Sequence, residues 1–140
     1  MPHYVRKSQS AYKVGSEAYP GEDRPVISVR IEHPEVGNFE AVDAIVDSGS
    51  PMCMLPEKVA DDLILIKQGD RILFSLGGSP IETPVYYPSV SIQGWNDSFP
   101  AVRFGSHPGN EVIIGRSLLN RMVTVLDGPR HALEFGRFED

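Results

Sequence analysis

One cysteine, Cys53, is all the chain of 140 residues contains, so no internal disulfide can form and a reducing compartment, the cytoplasm, is the expected setting. Long hydrophobic runs are missing too. The apolar stretches extend over a few residues, far short of the ~20 that a membrane-crossing helix needs, and no membrane partner is expected. Positive charge is in deficit: 13 Lys and Arg stand against 19 Asp and Glu, a net charge of −6. With no basic face or arm to neutralise phosphates, nucleic acid is excluded as the main partner. The opening Met1-Pro2-His3-Tyr4-Val5-Arg6-Lys7 lacks the apolar core of a secretory leader. His3, His33, His107 and His131 are scattered without His-x-His or Cys-x-x-Cys spacing, so no metal and no other cofactor is expected.

What the chain does have is punctuation. Twelve prolines and thirteen glycines divide it into short segments, the rhythm of a mainly β domain. Apolar residues at 41% and charged residues at 23% suit one globular domain with a continuous core. Residues 1–24 show no periodicity and read as a loose arm, poorly ordered or recruited by a partner, ahead of a domain over 25–140. Val26–Glu32 alternates like a half-buried strand, and Phe39–Val46 reads as its return across a hairpin. Pro56–Leu63 reads as a short helix with Pro at its first turn. Strands are expected over Arg71–Leu76, Pro84–Ile92, Phe99–Phe104, Glu111–Ile114, Val123–Leu126 and Ala132–Phe135, with a brief helix at Arg116–Arg121.

Asp47-Ser48-Gly49 is the segment with chemistry in it. It follows the apolar run Ala44-Ile45-Val46, which puts a carboxylate at the end of a buried strand, on a turn built from Ser and Gly. Burying a charge costs several kcal/mol unless something compensates, so such a group usually has work to do. The plainer reading is an Asp that caps its own turn. Asp43 reads as an outward-facing strand residue and Asp127, before Gly-Pro, as a turn residue. Cys53 lacks any nucleophile motif with His107 or His131 and reads as a buried structural thiol. Trp95 sits between two strands, where an exposed loop aromatic or packing at the core's edge is expected.

The run Ala44-Ile45-Val46-Asp47-Ser48-Gly49-Ser50, followed about sixty-five residues later by Ile113-Ile114-Gly115-Arg116-Ser117-Leu118-Leu119, resembles the retroviral-type (retropepsin-like) aspartic proteases. The resemblance runs from about Val26 to Phe135. It implies a closed β-barrel with one or two short helices, forming one half of a dimeric protease. It implies Asp47 as the catalytic residue, with Ser48, Gly49 and Ser50 supporting the loop. Leu76, Gly77, Gly78 and Ser79 would form the substrate-covering flap, although Pro80 limits hairpin pairing there. Ile113, Ile114, Gly115 and Arg116 would thread past the loop and hold it. Many retroviral members carry a carboxylate four places after the catalytic Asp that pairs with the helix Arg; here that place is Pro51, leaving Glu57, Asp61 or solvent for Arg116.

Only one Asp-Ser-Gly occurs, so the implied pair of carboxylates requires a homodimer. Two functional classes follow. One is an aspartic endopeptidase acting on extended protein or peptide substrates. The other is a peptide-binding or dimerisation module of the same fold, with weak or no hydrolysis.

Overall fold

The computed structural model describes residues 1–14, 23–74 and 80–140. In chain order the elements are β1 (His3–Ala11), β2 (Lys13–Val14), β3 (Asp23–Arg24), β4 (Val26–Glu32), β5 (Phe39–Val46), β6 (Cys53–Pro56), α1 (Glu57–Asp62), β7 (Asp70–Phe74), β8 (Pro80–Tyr86), β9 (Ser89–Ile92), β10 (Ser98–Phe99), β11 (Phe104–His107), β12 (Val112–Ile114), α2 (Arg116–Leu119), β13 (Val123–Asp127) and β14 (Ala132–Glu139). Nine strands form one sheet in the order β10-β9-β4-β5-β12-β6-β11-β8-β7, curled into a half-barrel. A second sheet runs β1-β14-β13, and β2 pairs with β3. The mainly β architecture with two short helices, expected from the sequence, is the one the chain adopts.

Alternation explains the hairpin that leads to the Asp47 loop. Ile27, Val29 and Ile31 of β4 are buried, and β5 returns antiparallel with Val29 opposite Val42. The connection turns at Gly37, whose φ of 85° lies in the left-handed region. Buried His33 braces it, its Nδ1 accepting the backbone N–H of Glu35 and Val36, both at 3.1 Å. Fully burying an apolar side chain of this size contributes roughly 1.5–3 kcal/mol. The cluster uniting Ile27, Ile31, Leu55, Phe104, Ile114 and Leu118 is therefore the main source of the barrel's stability.

Three expectations need revision. Pro84–Ile92 is two strands rather than one: β8 pairs with β7 and β11, whereas β9 pairs with β4 and β10. Pro88, which has no N–H to give a ladder, marks the break, and its carbonyl accepts Val102 N–H at 2.9 Å. Phe99–Phe104 is likewise interrupted between β10 and β11, by Pro100 and by Ala101 at φ 50°. Thirdly, where the sequence suggests a loose arm, His3–Ala11 is a strand paired with β14 of its own chain. Its partner lies more than 120 residues away, so no local pattern announces it.

β12 is the central strand of the nine. It runs parallel to β5, with Ile113 opposite Ile45 and Ile114 opposite Val46, and antiparallel to β6, with Ile113 opposite Met54. The chain that leaves β5 and re-enters at β6 therefore straddles β12. Gly115 follows at once. A Cβ there would lie 2.4 Å from the Met52 carbonyl oxygen and 2.8 Å from that of Ser50, which backbone cannot yield. Gly136 of β14 is similarly confined, because a Cβ there would collide with the Val5 carbonyl oxygen.

Gly115→Ala and Gly136→Ala should each destabilise the fold by ~1–3 kcal/mol or more, read as a lower thermal midpoint. Gly128→Ala, with nothing within 4 Å of its Cβ, should stay near the parent value. Lys7 and then Arg137 hydrogen-bond Glu139 and hold its carboxyl at about 2, down from 4.5. A depressed carboxyl contributes stability above its unfolded value and loses it as pH falls through the folded one. Glu139→Gln should therefore lessen the drop in thermal midpoint between pH 4.5 and about 2; an unchanged drop refutes that contribution.

Candidate active site

β5 delivers Val46 into the core and stops; Asp47 is the next residue. Its N–H donates to the Ile114 carbonyl at 2.9 Å, which extends the β5–β12 pairing by one bond. Its carbonyl accepts Ser50 N–H at 3.2 Å, closing a four-residue turn. The carboxylate bends back over that turn, Oδ1 accepting Gly49 N–H at 2.9 Å. A side chain on Gly49 would crowd this oxygen, since a Cβ there would sit 3.1 Å from Oδ1. Oδ2 is left without a partner among the described residues.

The expectation of a buried carboxylate is corrected: within this chain Asp47 is exposed. Burial ends with Val46, one residue earlier. The turn-capping reading and the chemical reading of Asp47 turn out to be compatible, because capping occupies one oxygen and leaves the other facing outward.

The loop is fastened from the side of β12 and α2. Arg116 N–H donates to the Ser50 carbonyl, and its Nη1 to the Ser48 carbonyl, both at 2.9 Å. Arg116 thus finds neither Glu57 nor Asp61; backbone oxygens of the loop take the place of the carboxylate that Pro51 does not supply. Ser50 Oγ donates to the Met52 carbonyl at 2.6 Å. Ser48, Gly49 and Ser50 accordingly stand where the sequence put them, around Asp47, with Ile113, Ile114, Gly115 and Arg116 behind. Leu76, Gly77, Gly78 and Ser79, expected from the sequence to form a flap, lie outside the described residues.

One supporting residue, Ser117, escaped the sequence reading, and Cys53 is the buried structural thiol expected. Ser117 Oγ accepts Cys53 N–H at 2.9 Å and donates to the Arg103 carbonyl at 2.7 Å, tying β6, α2 and the chain entering β11 together. Cys53 Sγ accepts Gly115 N–H at 3.3 Å. Burial pushes this thiol up from its ordinary value, against the pull of Ser117, so it stays protonated and inert. Only the position of Ser117 inside Ile-Ile-Gly-Arg-Ser-Leu-Leu could have pointed to it.

Chemically, one ionised carboxylate on a fixed turn can accept a proton from water. It cannot at the same time donate one to a carbonyl oxygen. Among the described residues no group of three or more His, Cys, Asp or Glu could hold a metal ion, and no helix is long and apolar enough to cross a membrane.

Comparison with known proteins gives the arrangement a context. The structure is similar to that of a retropepsin-like aspartic protease from Rickettsia conorii, with a TM-score of 0.61 and 13% identity over 100% of this chain and 97% of that one. It is less similar to EIAV protease complexed with the inhibitor HBY-793, with a TM-score of 0.49, 18% identity, and 77% and 93% coverage. The retroviral protease-like domain of Ddi1 from Leishmania major has a TM-score of 0.49, 17% identity, and 83% and 95% coverage. No curated protein sequence matches this chain. The aspartyl protease family model matches residues 27–118, about two thirds of the chain, from β4 through the Asp47 loop to α2, and the chain belongs to that family.

Proposed function

We propose that this protein is an aspartic endopeptidase that cleaves extended protein or peptide substrates as a homodimer, with Asp47 of each copy facing the other across a two-fold axis. The observation that carries this reading is the Asp47 turn itself. Its backbone is tied to Ile114 and Arg116, and it holds out a carboxylate with one oxygen uncommitted.

Two facing carboxylates share one proton, because both cannot ionise cheaply at close range; aspartic proteases are the standard example of this effect, taken here as general chemistry. The ionised member removes a proton from a water whose oxygen attacks the peptide carbonyl carbon. The protonated member hydrogen-bonds the carbonyl oxygen as it becomes an oxyanion. The proton then passes to the amide nitrogen as the C–N bond breaks. Ser48 can donate and accept across the axis and keep the two turns in register. Gly49 keeps the space beside Oδ1 open for water and substrate. Residues 76–79 would cover the bound chain.

The dimer needs a surface. β13 pairs with β14 along one edge, and Val125 and Leu126 on it are exposed. An unpaired strand edge with apolar side chains is a ready template for a second copy. In this assignment residues 25–140 are the protease unit, and β1, within the segment before it, pairs along the β14 side of that sheet. The buried, reduced Cys53 accords with a cytoplasmic setting.

Asp47→Asn should lower peptide cleavage by at least the ~10²–10⁴ that acid–base catalysis contributes, with the dimer retained in sedimentation. Retained cleavage would remove Asp47 from the chemistry, and a wild type that binds peptides without ever cutting them would make the protein a binding module.

A further inference from the structure

We propose that a pocket beside the Asp47 loop, built from Arg103, Arg116 and Arg121, receives an acidic side chain of the peptide substrate at a position away from the cleaved bond. The inference rests on the protease reading and adds a substrate class to it. The pocket has a volume of about 300 Å³, enough for one side chain, and Pro51 and Asn120 also line it.

Three arginines line this one pocket in a chain whose net charge is −6. Several cations elsewhere meet carboxylates: Lys13 with Asp43, Arg24 with Glu111, Lys7 and Arg137 with Glu139. Among the described residues no ion pair involves Arg103, Arg116 or Arg121. Each is held instead by a neutral oxygen. Arg116 donates to the Ser48 carbonyl at 2.9 Å, Arg121 to the Pro100 and Ala101 carbonyls at 2.5 and 2.9 Å, and Arg103 Nε to the Tyr87 hydroxyl at 3.1 Å. These bonds fix the three groups in direction without neutralising them, and each guanidinium keeps further N–H donors.

Like charges gathered without a counter-ion repel, so the arrangement is completed by an anion from outside. A carboxylate matches it best, since the planar forks of arginine pair with it through two parallel bonds. Pro51 makes the vacancy specific: four residues after Asp47, where the resemblance implies a carboxylate, the chain has none. Pro51 and Arg116 border both the pocket and the loop. A peptide lying along Asp47 therefore passes the pocket, which favours substrate over a carboxylate of the second copy.

A digest of a peptide library by the wild-type protein supplies a cleaved sequence. Synthetic peptides then carry Glu or Gln at each position flanking the cut, and kcat/KM is measured for each pair. At one distal position Glu should be preferred on the order of fivefold, mainly through KM, and the preference should shrink with added salt. In Arg103→Gln and Arg121→Gln the Glu/Gln ratio should fall toward one. The ratio is taken within each variant, so reduced stability does not mask it. Cleavage with a ratio near one at every position overturns the acidic-side-chain assignment and leaves the protease reading intact. Weaker dimerisation in the variants with an unchanged ratio assigns the pocket to the subunit contact and overturns it too. Absence of cleavage in every pool removes the protease reading, and the inference with it.

Discussion

β12 passes between the two strands that flank the Asp47 loop so closely that backbone alone fits at Gly115. The Met52 and Ser50 carbonyl oxygens occupy the space a side chain would need. Everything proposed for the site depends on this crossing. It brings the Ile114 carbonyl to Asp47 N–H and the Arg116 N–H to the Ser50 carbonyl, so the turn is held at both ends by one short segment. Each such bond nets about 1 kcal/mol, little beside the hydrophobic core. Their value is positional. A turn held at both ends leaves its carboxylate few directions to point, which general acid–base chemistry requires and an ordinary surface turn does not provide.

The exposure of Asp47 decides where the cost of a buried acid falls. If the carboxylate were buried within one chain, folding would have to offset its desolvation. With Asp47 exposed, folding does not meet that expense; in the proposed dimer it would fall on association, where a shared proton would lower it by removing one of two like charges. Folding and catalytic assembly become separate problems under this arrangement. The core of β4, β5, β6, β11 and β12 is stable on apolar grounds, and a lone Asp-Ser-Gly turn carries no strain beyond its own geometry.

How far the sequence reveals this depends on the range of the interaction. The β4–β5 hairpin, α1, β12 and α2 are legible because period-2 alternation, Pro at a helix start and a short apolar run before Gly are local signals. So are Asp47, Gly49 and Gly115, whose residue types matter at fixed positions in a motif. The strand over residues 3–11 is not legible, because its order comes from Ala132–Glu139 and its own composition is mixed. Nor is the division at Pro88, since Pro84–Ile92 reads as one apolar segment until its two halves are seen to pair with different neighbours. The hydrogen bonds of Arg116 were hidden for another reason. Sequence reasoning looks for a charged partner, and a backbone carbonyl leaves no mark in the sequence.

Replacing a carboxylate by Pro51 changes what holds Arg116. An Asp or Glu at that position would neutralise the guanidinium and close the space beside it. The Ser48 carbonyl orients the group but leaves its charge in place, so loop support and residual positive potential coexist in a single side chain. Five N–H donors make the two roles compatible: one is spent on Ser48, and an incoming carboxylate need not compete for it. A carboxylate docked on Arg116 would offset the positive charge that the bond to the loop also draws on, while the remaining N–H donors leave room for both. In the proposed reading, substrate charge and the placement of Asp47 meet at one residue, Arg116, with no moving part between them.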